Sequence, residues 1–168
     1  MRARVGTLNA APMVNDGRDQ PVEGRFDGGE HRFPLRVYFE DTDLSGVVYH
    51  ANYLCFMERA RSDMLRLLGV DQRAHMEAGG GAYAVARVDV RYLKPARLDD
   101  ALLVETRPIS VHAAHVVIHQ RVMRGGAILA QAEVTAALVG PDGRPRRQPA
   151  EWVARYRKLL EQRNAPTP

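Results

Sequence analysis

The sequence is poor in cysteine. Cys55 is the single cysteine among 168 residues, which excludes an intramolecular disulfide and the paired thiolates that most structural zinc sites use. A composition of this kind favours a reducing compartment. We expect a small buried apolar side chain at Cys55 rather than a nucleophile, since free cysteine is among the most often buried residue types.

Long apolar runs are also lacking. No segment reaches the roughly 20 residues that a membrane-spanning helix needs. At the basic N-terminus, Asn9, Pro12 and Asn15 interrupt the chain before the apolar run of a signal peptide can form. The sequence therefore predicts a soluble, cytoplasmic protein.

Lysine is scarce, because 22 of the 24 basic residues are arginine, and the formal net charge is +4. The planar fork of arginine suits phosphate groups, so nucleic acid, an anionic membrane surface and a phosphorylated small molecule are all admissible partners. A solvated basic surface without a partner explains the same charge equally well.

The remaining composition predicts one domain, since 45% of the residues are hydrophobic. Residues 1–30 mix glycine, proline, aspartate and arginine without periodicity, which is typical of a disordered leader. We expect the folded domain to cover residues 31–163 and residues 164–168 to fray.

One long helix and several strands are expected within this domain. Proline and glycine are absent from Tyr49 to Leu68, and apolar residues recur there at helical spacing over a wide stripe, which favours a helix enclosed by a sheet. A short amphipathic helix should follow Pro149. The predicted strands are Phe33–Phe39, Tyr83–Leu93, Leu102–Ile109, Ala114–Met123 and Ile128–Val139. Because strands and helices are not interleaved, the fold class is α+β.

The most informative stretch begins at Arg36 and reads RVYFEDTDLSGVVYHANY, and the tetrapeptide ERAR follows at 58–61. A second motif, YLKPARLDD, spans residues 92–100. Together they closely resemble the Tol–Pal-associated acyl-CoA thioesterases, within the 4-hydroxybenzoyl-CoA thioesterase group of hot-dog proteins. The resemblance runs from about Arg36 to Val139.

This resemblance implies a single hot-dog domain, in which a five- or six-stranded antiparallel sheet wraps around a long central helix. It implies dimers whose sheets join, often paired into tetramers, with an acyl-CoA site at the dimer interface. Coenzyme A would enter only as part of the substrate, and no metal or other cofactor is expected. An acyl carrier protein or inner-membrane-associated proteins are further possible partners, whereas nucleic acid has only the net charge in its favour and is not expected.

The resemblance also assigns site residues. Asp43 matches the family's catalytic aspartate, and His50 matches a position seven residues later that is histidine in this subfamily. Thioester hydrolysis needs a base or nucleophile and hydrogen-bond donors for the developing oxyanion. Asp43 would activate water or attack directly, and backbone amides at Val48, Tyr49 and His50, near the helix start, would hold the carbonyl oxygen.

Other interpretations of these residues remain open. Asp41 and Asp43 are also typical of turns and helix caps, and Glu58, where another hot-dog branch keeps its catalytic carboxylate, should pair with Arg59 or Arg61. The family's tyrosine four positions before the aspartate is replaced by Phe39. Two alternative functions therefore stand beside hydrolysis: a non-enzymatic acyl-thioester binder or scaffold of the cell envelope, and a hot-dog hydratase or dehydratase.

Overall fold

A computed structural model describes residues 21–164. Within this range the chain forms one antiparallel sheet, with strand order β1-β2-β4-β5-β6-β3, and three α-helices. The strands are β1 (Arg25–Asp27), β2 (Glu30–Arg36), β3 (Ala82–Tyr92), β4 (Ala101–Val111), β5 (His115–Arg124) and β6 (Ala127–Val139). The helices are α1 (Asn52–Leu67), α2 (Gln72–Glu77) and α3 (Ala150–Asn164). The expected α+β class and the antiparallel sheet, predicted to have five or six strands, are confirmed, and the sheet has six.

The sheet begins earlier than the expected domain start at residue 31. Strands β1 and β2 form a hairpin whose two loop residues, Gly28 and Gly29, have φ angles of +55° and +81°. Positive φ at both positions is the requirement of a type I′ hairpin turn, and an Asp-Gly-Gly sequence is a usual way to meet it. Residues 1–20 of the predicted leader and residues 165–168 of the predicted tail lie outside the described part of the chain.

Strand β2 ends at Arg36 rather than continuing to Phe39, as the alternation predicted. The chain turns because the carboxylate of Asp41 accepts the Tyr38 N–H over 2.8 Å and a 3₁₀ turn follows at Phe39–Asp41. Val37 is fully buried, whereas Phe39 is 81% exposed. The prediction that this strand extends to Phe39 is therefore wrong.

Helix α1 packs one face on the sheet and leaves the other open. Its buried side chains are Tyr53, Phe56, Met57, Ala60, Asp63, Met64 and Leu65. Leu54, Cys55 and Glu58 lie on the opposite, exposed face. The expectation of a buried Cys55 is therefore wrong, because the residues between 21 and 164 cover the helix on one side only.

Strand β3 forms one edge of the sheet and pairs with β6 alone among the described strands. Ala86 is an extra residue, because Val85 pairs with Ala136 and Arg87 pairs with Thr135, the next residue of β6. A bulge of this kind shifts the alternation by one position. As a result the apolar side chains of both halves of β3 share the inner face opposite buried residues of β6, namely Tyr83, Val85, Val88, Val90 and Tyr92.

Helix α3 covers one end of the core, as the amphipathic pattern after Pro149 predicted. Trp152, Tyr156 and Leu159 are buried, and the first two belong to a cluster that includes Met64 of α1 and Leu138 of β6. The domain therefore has a closed end at α3 and a more open end near the start of α1. None of the helices described between residues 21 and 164 is long and apolar enough to span a membrane.

Candidate active site

Asp43 lies in a tight loop between the 3₁₀ turn and α1. Thr42 and Val48 form an antiparallel bridge at the base of this loop, and the Asp43 N–H donates to the Val47 carbonyl over 3.1 Å. Gly46 closes the turn with a φ angle of +75°, a conformation that glycine adopts without strain. The loop backbone is thus fixed, while the Asp43 side chain projects from it and is fully exposed.

The Asp43 carboxylate is held through one of its oxygens. Oδ1 accepts the Ser45 N–H over 2.8 Å and the Ser45 hydroxyl over 2.5 Å, whereas Oδ2 accepts no hydrogen bond from the described residues. The Ser45 hydroxyl, then the Ser45 amide, and to a smaller extent His50 lower the pKa of Asp43 below its usual 3.8. The carboxylate is therefore ionised at neutral pH, with one oxygen left to act on a water or a substrate.

His50 stands in the turn that leads into α1 and is surrounded by tyrosines. Its ring centroid lies 4.4 Å from that of Tyr49 and 6.3 Å from that of Tyr92. The Tyr92 hydroxyl donates a hydrogen bond to the His50 carbonyl over 3.0 Å. Strand β3 therefore holds this turn in place from the side.

The backbone amides near the helix start differ in their availability. The Val48 N–H donates to the Ala96 carbonyl and the Tyr49 N–H to the Asp41 carbonyl, both over 2.9 Å. These two amides, which the sequence suggested for an oxyanion hole, are thus occupied within the chain. The His50 N–H makes no hydrogen bond to any residue between 21 and 164. Of the three amides predicted to form the oxyanion hole, that of His50 is therefore the one that the described residues leave unoccupied.

A cleft of about 310 Å³ opens beside His50. Its walls come from the turn before α1, from α1 itself and from the end of β3 with the segment after it: Val48, His50, Tyr53, Tyr92, Leu93, Lys94 and Pro95. This volume lies at the lower end of the range of about 300–1,000 Å³ that is usual for small-molecule sites. Asp43 is not among the described residues that line this cleft. It is close enough to His50 for that histidine to help lower the pKa of Asp43.

Asp41 has a structural role, in agreement with the capping interpretation. It is 4% exposed, its carboxylate holds the Tyr38 N–H, and its carbonyl accepts both the Tyr49 N–H and the Asn52 side-chain amide. Asp41 therefore links the 3₁₀ turn to the start of α1. The two aspartates therefore differ in environment: Asp41 is buried within the loop, whereas Asp43 projects from it.

Glu58 does not form the ion pair that the sequence predicted. Its carboxylate accepts the Ser62 hydroxyl over 2.5 Å, and it lies within 4.0 Å of neither the Arg59 nor the Arg61 guanidinium. Arg61 turns inward instead and donates to the side-chain oxygen Oε1 of the buried Gln120 over 2.6 Å. The two side chains lie along the wall of a second cavity farther along α1.

His112, in the turn before β5, and the histidines of β5 do not gather into a group that could hold a metal ion. His112 and His115 stack with ring centroids 4.3 Å apart, and the His112 Nε2 lies 3.1 Å from the Ser110 hydroxyl. In the chain between residues 21 and 164, no three histidine, cysteine, aspartate or glutamate side chains come together in a way that could hold a metal ion.

Two contributors to this site were not singled out by sequence reasoning. Ser45 stands two residues after Asp43, which is the usual spacing for an aspartate that accepts hydrogen bonds within its own turn, so a local signal existed. Tyr92 lies in the second motif, but its contact with His50 joins residues far apart in the chain, and no local pattern indicates it.

Comparison with known proteins gives a consistent family. The model of the thioesterase-like superfamily matches residues 37–160. The acyl-CoA thioester hydrolase YbgC of Escherichia coli O6:H1 is 43% identical over 129 residues, which cover 76% of this chain and 96% of that protein. The acyl-CoA thioesterase YbgC of Haemophilus influenzae is 46% identical over 107 residues, which cover 64% of this chain and 79% of that protein.

A solved structure agrees with these relatives. The probable thioesterase from Bartonella henselae is 38% identical and superimposes with a TM-score of 0.67, covering 71% of this chain and 99% of its own. The superfamily match, over residues 37–160, contains the Asp43 loop, α1 and strands β3 to β6.

Proposed function

This chain belongs to the thioesterase-like superfamily, and we propose that it hydrolyses an acyl-CoA thioester to a free acid and coenzyme A at a site formed by Asp43 and His50. The observation that carries the site assignment is the Asp43 carboxylate, which is ionised, fixed through one oxygen by Ser45 and free at the other. Similarity to acyl-CoA thioesterases supports the substrate class.

The proposed reaction replaces the carbon–sulfur bond of the thioester by a carbon–oxygen bond. In one route, Asp43 takes a proton from water as the water attacks the carbonyl carbon. In the other, the carboxylate attacks directly and water hydrolyses the resulting anhydride. In both routes the sulfur leaves with the electron pair of the broken bond and is protonated to give the coenzyme A thiol. The free Oδ2 of Asp43 suits either route.

The His50 amide is the proposed oxyanion donor. Its N–H has no partner in the described chain and lies just before α1, where the helix dipole places about half a positive charge. A single donor of this type typically contributes about 2.7–4 kcal/mol to transition-state stabilisation. The His50 ring, beside the same cleft, would position the thioester.

The cleft beside His50 is the proposed entry for the coenzyme A part of the substrate. Lys94 lines it, and Arg97 lies close by, with Nη1 3.4 Å from the Gly46 carbonyl of the Asp43 loop. Both cations suit the phosphate groups of coenzyme A. The aromatic walls from Tyr53 and Tyr92 suit its apolar parts.

A second copy of the chain is part of this proposal. Strand β3 is an edge strand whose outer backbone groups have no strand partner in the described chain, and the open face of α1 lies beside it. Pairing of two β3 edges would join two sheets into one and bring a second subunit next to the exposed Asp43. Further pairing into tetramers, a cytoplasmic location and partners such as acyl carrier protein or Tol–Pal-associated proteins rest on the family resemblance alone.

A non-enzymatic acyl-thioester binder is the competing function, and one observation favours it. At the position of the family's assisting tyrosine this chain has Phe39, which is 81% exposed and has no group that donates a hydrogen bond. Asp43 would then work without that help. Binding without turnover would be the signature of this alternative.

Release of free thiol from a panel of acyl-CoA substrates tests the proposal. Wild-type protein should release thiol, and Asp43→Asn should bind the same substrates without releasing it. Binding without thiol release by the wild-type protein would establish the scaffold instead. Equal turnover by wild type and Asp43→Asn would remove Asp43 from the mechanism.

A further inference from the structure

A second cavity, of about 100 Å³, lies toward the C-terminal end of α1, where that helix meets β3 and α3. Its walls include Glu58, Arg61 and Ser62 of α1, Tyr83 and Val85 of β3, and Tyr156 of α3. None of these residues lines the cleft beside His50. The cavity is therefore distinct from the proposed reaction site.

Both places lie between α1 and β3, and we refer to the stretch between these two elements that leads from one place to the other as the groove. On α1, Leu54, Glu58 and Ser62 recur every four residues and form one row, and His50 precedes Leu54 by the same spacing. The opposite wall is the inner face of β3. At one end Tyr92 holds His50, and at the other Val85 lines the cavity together with Glu58.

The wall residues of β3 remain accessible although they face inward. Val85 is 50% exposed, Val88 37% and Tyr92 46%. This apolar strip is thus continuous with the proposed reaction site and is not filled by the chain's own core. An apolar, elongated ligand part that starts at His50 would run along it toward Glu58.

The far cavity contains an unusual pair of charges. Arg61 donates through Nη1 to the buried Gln120, and its other nitrogens make no hydrogen bond within the described residues. No carboxylate lies within ion-pair distance of Arg61 in the chain between residues 21 and 164. Glu58 also lines the cavity, with one oxygen occupied by Ser62. The cavity therefore offers free donors on a cation and a free acceptor on an anion.

On the basis of the proposed hydrolysis, we propose that this cavity holds the far end of the acyl chain and that Arg61 and Glu58 select acyl groups that end in a hydroxyl. A hydroxyl can accept from Arg61 and donate to Glu58 at the same time. A methyl end satisfies neither group, and a carboxylate end would gain from Arg61 but be repelled by Glu58.

The length of the groove sets the length of the acyl chain that would fit it. The steps from His50 to Glu58 correspond to about 12 Å along a helix that rises about 1.5 Å per residue. Three bonds of an extended chain span about 3.3–3.6 Å, so roughly ten bonds separate the thioester from the cavity. The proposed substrate is therefore an ω-hydroxyacyl thioester of about ten carbons.

The test compares kcat/KM for hexanoyl-, decanoyl-, ω-hydroxydecanoyl- and decanedioyl-CoA, measured by thiol release. For wild type we expect ω-hydroxydecanoyl-CoA to exceed decanoyl-CoA by about tenfold, the value of one hydrogen bond to a charged group. Arg61→Met should reduce this ratio to about one, and Arg61→Lys should retain part of it. Glu58→Gln, on the exposed helix face, should shift preference toward decanedioyl-CoA. Arg73→Met, outside the groove, should leave the ratio unchanged.

The outcomes separate this inference from the proposed function. Hydrolysis of hexanoyl-CoA with equal kcat/KM for the two decanoyl substrates would overturn the cavity assignment and leave the thioesterase assignment intact. If no substrate releases thiol, calorimetric binding decides: tighter binding of ω-hydroxydecanoyl-CoA than decanoyl-CoA, lost in Arg61→Met, supports the cavity, and equal binding rejects it. Should Arg61→Met not fold, the shift expected for Glu58→Gln carries the decision, and its absence counts against the proposal.

Discussion

The Tyr92 hydroxyl donates a hydrogen bond to the His50 carbonyl, over 3.0 Å, and so joins the edge strand of the sheet to the turn that precedes α1. The same tyrosine packs its ring against Tyr53, with centroids 5.6 Å apart. In the proposed mechanism the His50 amide receives the oxyanion. Tyr92 therefore acts as a positioning residue for that amide.

Replacing Tyr92 with phenylalanine should lower kcat while changing KM little, because the ring contacts remain and only the bond to the His50 carbonyl is lost. A neutral hydrogen bond contributes about 0.5–1.5 kcal/mol, so the expected loss is up to about tenfold. Tyr38→Phe is the matched control, since Tyr38 is exposed and its hydroxyl has no partner in the described chain. A KM effect alone would show that Tyr92 binds substrate rather than positions the turn.

Asp43→Asn should reduce kcat/KM by about 10²–10⁴-fold, the usual contribution of a positioned general base. The carboxylate is exposed, so the fold and the melting temperature should be nearly unchanged. Steady-state kinetics and a thermal melt measure the two quantities. Glu40→Gln, an exposed carboxylate on the same segment, serves as the control and should retain full turnover.

His50→Ala should cause a smaller loss than Asp43→Asn, because the backbone amide that would hold the oxyanion is kept while the ring beside the cleft is removed. We expect the loss to differ among acyl-CoA substrates, since the ring contacts the thioester region. Kinetics across a substrate panel provide the measurement. Activity equal to that of wild type on every substrate would remove the role assigned to the ring.

Ser45→Ala should move the acidic limb of the kcat/KM profile. The Ser45 hydroxyl is the largest cause of the lowered pKa of Asp43, and a base works only when it is deprotonated. Wild-type activity should therefore persist at acidic pH and disappear only as the pH falls through that lowered pKa. Without the hydroxyl, the pKa of Asp43 returns toward 3.8 and the limb should shift to higher pH. An unchanged limb would mean that another group controls it.

Stability should depend on the protonation of His31. This fully buried histidine lies with Nε2 2.8 Å from the Asp63 carboxylate and ties the N-terminal hairpin to α1. Burial lowers the pKa of His31 below its usual 6.5, although Asp63 opposes this shift. The unfolded chain therefore takes up the proton first. The contribution of neutral His31 to the free energy of unfolding should be fully present above about pH 6.5. It should decrease as the pH falls from there through the lower pKa of the folded state.

Chemical denaturation at several pH values between 7 and 5 measures this dependence. His31→Gln should be less stable at neutral pH and should show a weaker pH dependence than wild type. His112→Gln is the control, because the His112 side chain is exposed and its ring nitrogen lies beside the nearby Ser110 hydroxyl. Parallel pH curves for wild type and His31→Gln would assign the dependence to other groups.

Much of the sheet follows from local pattern. The predicted strands Leu102–Ile109, Ala114–Met123 and Ile128–Val139 lie within one or two residues of β4, β5 and β6, because β-branched and apolar residues dominate them and the Gly125-Gly126 pair marks the turn between the last two. Gly28 and Gly29 also form a glycine pair between two strands. That hairpin was not predicted, because it lies in a polar segment without clear alternation. The local pattern of apolar residues and turn residues therefore predicted these three strands well.

The remaining differences come from contacts that are distant in sequence or from backbone irregularity. The Val48 N–H donates to the carbonyl of Ala96, which belongs to another segment of the chain. No local sequence pattern predicts such a bond. The exposure of Cys55 depends on what covers α1, which a single chain does not supply. The placement of Asp43 and His50 near one another agrees with the sequence, whereas their catalytic roles stay predictions.

The register of Ala86 decides which side chains line the groove. Because Ala86 is an extra residue, Val88, Val90 and Tyr92 point toward α1. If Ala86 instead paired with β6 as its neighbours do, Arg87, Asp89 and Arg91 would point there. Deletion of Ala86 should therefore leave the same apolar side chains facing α1, whereas an added residue that pairs with β6 between Arg87 and Val88 would turn Val88, Val90 and Tyr92 outward and replace the apolar lining by a charged one.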